Sequence, residues 1–116
     1  MFNDYIYIMK CTADLANLKD QLSLIPLQSI PNDEIVSSEH MKGLKKILEC
    51  YKIIIDQLYK INNLKWIGLK GIGLEELDEH MQLLISAQDY KTQQISFNDC
   101  HSYLLAGIQD AINTNA

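Results

Sequence analysis

The chain has 116 residues, 47% hydrophobic and 22% charged, the composition of an ordinary globular protein long enough to bury a core as one domain over residues 1–116. No apolar run approaches the ~18 residues of a membrane span. All ten cations are lysine against fifteen carboxylates, net −5, which argues against nucleic acid: phosphate and guanine readers carry a basic stripe and favour the bidentate fork of arginine.

The excess of acid is uneven. Residues 1–62 hold eight acids and seven lysines, whereas residues 63–116 hold seven acids and three lysines, so the negative field belongs to the second half. The start, MFNDYIYIMK, lacks the basic region and cleavage site of a secretory signal. Cys11, Cys50 and Cys100 are odd in number and far apart, which fits reduced thiols better than a disulfide framework. Both features point to a cytoplasmic protein that makes no use of the membrane.

The first segment, Tyr5-Ile6-Tyr7-Ile8, has the composition of a short strand. The longer window outweighs it, because Ile8, Cys11, Leu15, Leu18, Leu22 and Ile25 recur at alternating spacings of three and four. That spacing predicts one helix from Asn3 or Asp4, either of which would cap it, to Leu24. Pro26 ends it by removing an amide donor and disfavouring helical geometry at the preceding residue. A connector follows, LQSIPNDEIVSS, in which Asn32 or Asp33 would cap a short helical turn through Ile35 and Val36.

The next element, Ser38 to Asn62, is the widest apolar surface in the chain. Met41, Leu44, Leu48, Tyr51, Ile55 and Leu58 share one helical face, and Ile47, Ile54 and Ile61 add a stripe beside it. An arc that wide needs helices on at least two sides, so this helix is expected at the centre, with Leu48, Tyr51, Ile54, Ile55 and Leu58 buried. Gly43 weakens its second turn by up to ~1 kcal/mol and would permit a close helix crossing. Residues 64–73, LKWIGLKGIG, are irregular and read as a loop or a short helix ended by glycine.

A third helix is expected from Leu74 or Glu75 to Tyr90, with Leu77, Met81, Leu84, Ile85 and Gln88 on one face. For the last helix Ser96 is the cap and Asp99 the capping-box residue, with Phe97, Cys100 or His101, Leu104, Ile108 and Ile112 as its apolar face. The tail from Asn113 should fray. The fold class is therefore all-α: a single-domain bundle of four longer helices with one or two short ones.

Most candidate chemistry dissolves on inspection. The glycines at 68, 71 and 73 match neither a dinucleotide fingerprint nor a P-loop. Glu76 and His80 lack the spacing and the second copy of a di-iron bundle, and read as a solvated face. Cys100 and His101 are neighbours in sequence and point ~100° apart on a helix, so they make no nucleophile and base pair. His40 reads as a partly exposed histidine in a first turn. No catalytic residue, metal ligand or cofactor site is assigned, and the chain is read as a non-enzyme.

Two features suggest partner binding. Glu75, Glu76, Asp78 and Glu79 crowd the start of the third helix, and no lysine follows before Tyr90. Acids in a first turn favour the positive end of the helix dipole, which accounts for one or two of them. The surplus would suit a basic partner. Trp66, the single tryptophan, caps the open end of a core in the plainer reading and serves as an apolar interface anchor in the other. Asp33, Glu34 and Glu39 are the alternative acidic surface.

A small, acidic, helical, arginine-free chain of this kind resembles the immunity proteins of bacterial toxin systems, including those of contact-dependent growth inhibition. The likeness is one of overall character and rests on no motif. It implies an antidote that binds a cognate basic toxin, often a nuclease, and occludes its active site. An adaptor, chaperone or regulatory subunit working through protein contacts is the alternative, which an exposed apolar patch and homodimerisation would favour.

Overall fold

A computed structural model describes residues 2–29, 34–62 and 74–115 of the chain. They form four helices and, among the described residues, no strand: α1 (Phe2–Ser23), α2 (Ser38–Asn62), α3 (Leu74–Ser86) and α4 (Tyr90–Asn115). No described helix is long and apolar enough to cross a membrane. The helix over Tyr5 to Lys10 expected from the 3,4 spacing is present. It begins at Phe2, upstream of the proposed caps Asn3 and Asp4.

The helices run up and down in turn. Cys11 of α1 meets Gln57 of α2, while Ile25 just after α1 meets Gly43, an antiparallel pairing. Lys19 of α1 donates to Gln109 of α4, and His101 reaches the carbonyls at the end of α1, which makes this pair antiparallel too. α3 and α4 form a hairpin across Ala87 to Asp89. One buried apolar cluster joins all four, from Cys11, Leu15, Leu18 and Leu22 through Leu44 and Leu58 to Leu77, Leu84, Phe97, Leu104 and Ile108.

Leu48, Tyr51, Ile54, Ile55 and Leu58 are all buried, as the width of the α2 arc requires. The centre of the bundle is nevertheless α4. It packs against α1, α2 and α3, whereas α2 and α3 barely approach one another. Gln94, Phe97, Cys100, Leu104, Ile108 and Ala111 lie fully buried along it. The Gly43 expectation also changes in kind. A Cβ there would stand 3.1 Å from Ile25 Cδ1, so the glycine admits a connector side chain and not a second helix.

The connector forms no helical turn at Ile35 and Val36. Asn32 and Asp33, the expected caps, lie outside the described residues, as do residues 64–73. The reason is competition for the backbone. The Val36 N–H donates to Gln93 Oε1 at 2.8 Å, and Gln94 Nε2 donates to the Glu34 carbonyl at 2.7 Å. Further back, Asn98 exchanges two hydrogen bonds with the backbone of Gln28. Side chains of α4 thus satisfy backbone groups of the connector.

Ser37 caps α2: its Oγ accepts the His40 N–H at 3.1 Å and its carbonyl accepts the Met41 N–H at 2.9 Å. The junction of α3 and α4 departs from expectation. α3 stops at Ser86, and α4 begins at Tyr90 with Asp89 as its cap, leaving Gln88 in the turn. Asp89 Oδ1 accepts the Thr92 N–H at 2.7 Å, and Oδ2 accepts the Thr92 hydroxyl at 2.9 Å. Ser96, the expected cap, is buried inside α4. At the other end α4 stays helical to Asn115, through the residues expected to fray.

Candidate acidic interface

The four carboxylates singled out by sequence occupy the first two turns of α3, and the structure divides them. Asp78 forms an ion pair with Lys52 of α2, tying the start of α3 to the middle of that helix. Glu75, Glu76 and Glu79 are exposed and make no ion pair or hydrogen bond among the described residues. Helical geometry points Glu75 and Glu79 away from the buried Leu77, Met81 and Leu84 face, and sets Glu76 on the flank of His80, whose ring stacks on Tyr103 of α4. Three of the four therefore stand in solvent, and the fourth is a structural contact.

Trp66 lies outside the described residues, as does Asp33. Glu34 and Glu39, the other alternative acids, are exposed, on the connector and in the first turn of α2. Asp89 is separated from the cluster because its carboxylate is committed to capping α4. Hydrogen bonding from the Thr92 amide, then from its hydroxyl, holds that carboxyl below the usual aspartate value, with Lys91 adding to the effect.

His80, His101 and the two buried thiols take structural places. His80 stacks on Tyr103 of α4, ring centroids 4.7 Å apart and planes 18° apart, which joins α3 to α4. His101 is buried, with Nε2 2.8 Å from the Ile25 carbonyl and 3.2 Å from the Leu22 carbonyl. It closes the end of α1, where carbonyls lack helical partners. Burial pushes the Cys100 thiol up to about 11, with Asp78 adding in the same direction. The Cys11 thiol is also raised, by burial first and then by Asp14. Such thiols are poor nucleophiles. Among the described residues no group of histidine, cysteine and carboxylate side chains has the arrangement of a metal site.

Sequence reasoning did not find Lys52 as the partner of Asp78, nor Gln93, Gln94, Asn98 and His101 as the residues that hold the connector. Each pairs with a group far away in the chain, at a separation of 26 residues for Lys52 and 57 to 79 for the α4 set. Local spacing carries no trace of such pairs. No protein-family model, curated protein or solved structure matches the chain.

Proposed function

We propose that the protein is a non-catalytic binding protein of the immunity class, which uses the acidic start of α3 to occupy the cationic active site of a basic toxin such as a nuclease. The observation that carries this reading is the division among the four acids. Dipole compensation is satisfied by one or two carboxylates, yet Glu75, Glu76 and Glu79 all stand in solvent beyond the anchored Asp78. A surface that holds three desolvatable charges on a rigid helix can meet a phosphate-binding site of opposite sign. Trp66 is the proposed apolar anchor at its edge, and the cytoplasm the proposed location.

The test is titration against a basic toxin domain encoded beside this chain, with growth rescue as the second readout. Glu75→Gln, Glu76→Gln and Glu79→Gln, alone and combined, should weaken association, with at least one costing ~2 kcal/mol or more and with clear salt dependence. Unchanged binding and protection by the triple variant combined with Trp66→Ala would move the interface elsewhere.

A second reading, an adaptor or regulatory subunit, is favoured by the first turns of α1, where Tyr5, Ile6, Tyr7 and Met9 are all exposed.

A further inference from the structure

Among the described residues, the seam between α2 and α3 is a helix boundary that does not close. The two helices run antiparallel and are bridged by Lys52 and Asp78 at one end, but their backbones do not pack together. Beyond the bridge, toward the start of α2, the seam opens into a groove with a cavity volume of about 470 Å³. Its walls are Ile35, Val36, Met41, Met81 and Ile85, and Gln93 of α4 also lines it. Ile35 and Ile85 are more than half exposed, so apolar surface is left facing water on both sides.

The rim is the informative part. In a chain of net charge −5, the charged side chains lining this groove are Lys42 and Lys45. Neither pairs with a carboxylate among the described residues. Glu39, which follows Ser38 in the first turn of α2, and Glu34 and Glu49 further off along the chain do not line it. Ser38, Met41, Lys42 and Lys45 form one stripe along α2, roughly 10 Å long or about two helical turns.

We propose that this open seam docks an acidic amphipathic helix of a partner protein, which sets aliphatic side chains between Met41, Met81 and Ile85 and carboxylates against Lys42 and Lys45. Three features select that occupant. Helical walls offer no free sheet edge, so an extended peptide would gain no main-chain hydrogen bonds, whereas a helix needs only a groove and side-chain anchors. Met41, partly buried, and Met81, buried at the floor, both line the groove, and methionine adapts to aliphatic anchors of varied shape. The lysines stand three residues apart on one helix, a spacing that carboxylates three or four apart on a docked helix reproduce. A small amphiphile fits less well, because such ligands are usually enclosed over most of their surface and this cleft is open along its length. The groove is opposite in sign to the acidic start of α3, so this site stands apart from the toxin-binding reading.

The chain supplies its own reporters. Of its methionines, Met41 and Met81 line the groove, while Met9 is exposed on α1. The full chain, labelled with carbon-13 at the methionine methyls, is titrated with synthetic peptides of about four helical turns. Each carries leucines on one face and flanking glutamates, and the set varies the leucine register. The Met41 and Met81 signals should shift saturably while the Met9 signal stays in place. The double variant Lys42→Glu with Lys45→Glu should weaken binding at least ~10-fold, and Ile85→Ser should weaken it with the charges intact. Both changes are at the surface, and unchanged circular dichroism and melting confirm the fold. Triple neutralisation of Glu75, Glu76 and Glu79 should leave the peptide affinity as it was. The proposal is overturned by an absence of saturable Met41 and Met81 shifts across the set. It is equally overturned by an equal response to peptides with lysine in place of glutamate, or by shifts with sodium decanoate and none with the peptides.

Discussion

Asn98 and Gln28 exchange a pair of hydrogen bonds: Asn98 Nδ2 donates to the Gln28 carbonyl at 2.9 Å, and the Gln28 N–H donates to Asn98 Oδ1 at 2.8 Å. One amide side chain on α4 thereby does for the connector what a neighbouring strand would do, satisfying both backbone groups of a partly buried residue. Asn98→Leu is expected to cost ~1–3 kcal/mol in urea unfolding, since a backbone donor and acceptor lose their partners together. Asn98→Asp keeps the acceptor, loses the donor and should fall between. A loss below ~0.5 kcal/mol for the leucine variant would show that the connector is held elsewhere.

Lys52 and Asp78 tie α2 to α3, but both are partly exposed, at 35% and 51% of the side chain. Solvent screening limits such a pair. A double-mutant cycle with Lys52→Met and Asp78→Asn should give a coupling of ~0.2–1 kcal/mol that shrinks in high salt. Glu75, Glu76 and Glu79 should show no coupling to Lys52, which distinguishes the anchored acid from the exposed ones.

The thiols should react in an order set by burial. Cys50 is partly exposed, whereas Cys11 and Cys100 are buried. Iodoacetamide on the native protein, followed by mass spectrometry, should modify Cys50 first and the other two only as the chain unfolds. The Cys100 thiol, raised from 9.0 to about 11 by burial, also sets an alkaline limit. A group with a raised folded value contributes stability below its unfolded value and loses it as pH rises through the folded one. Stability should therefore fall between about pH 9 and 11, and Cys100→Ala should flatten that slope. A slope unchanged in the variant counts against the assignment.

Asp89 offers the opposite sign. Its folded value is depressed by the Thr92 amide and hydroxyl, so its contribution is present above the ordinary aspartate range and is lost as pH falls through the lower folded value. Asp89→Ala should lower the melting temperature at neutral pH and speed exchange of the Thr92 amide. The gap between the parent and Asp89→Asn should narrow as the solution is acidified. A gap that widens in acid would contradict this role for the carboxylate.

Periodicity by itself determined the helical class, the extent of α1 to within a residue or two, the start of α2, and most of the buried face of α2 and α4. The reason is that residues three and four apart share a helix face wherever that face is buried. It also located the acids of α3, since a run of charge is a local property. The boundary between α3 and α4 was not decided in this way, because Asp89 and Ser96 are both acceptable caps and only the folded chain shows which is buried. Tertiary structure alone placed α4 at the centre. Its first half looks polar in sequence, yet Gln93, Gln94, Asn98 and His101 turn inward and meet backbone groups 57 to 79 residues away. The fate of each acid was decided at the same level, since only the approach of α2 commits Asp78 to Lys52 and leaves Glu75, Glu76 and Glu79 in solvent. A side chain's type limits what it can bond, but the groups that reach it are set by how the helices pack.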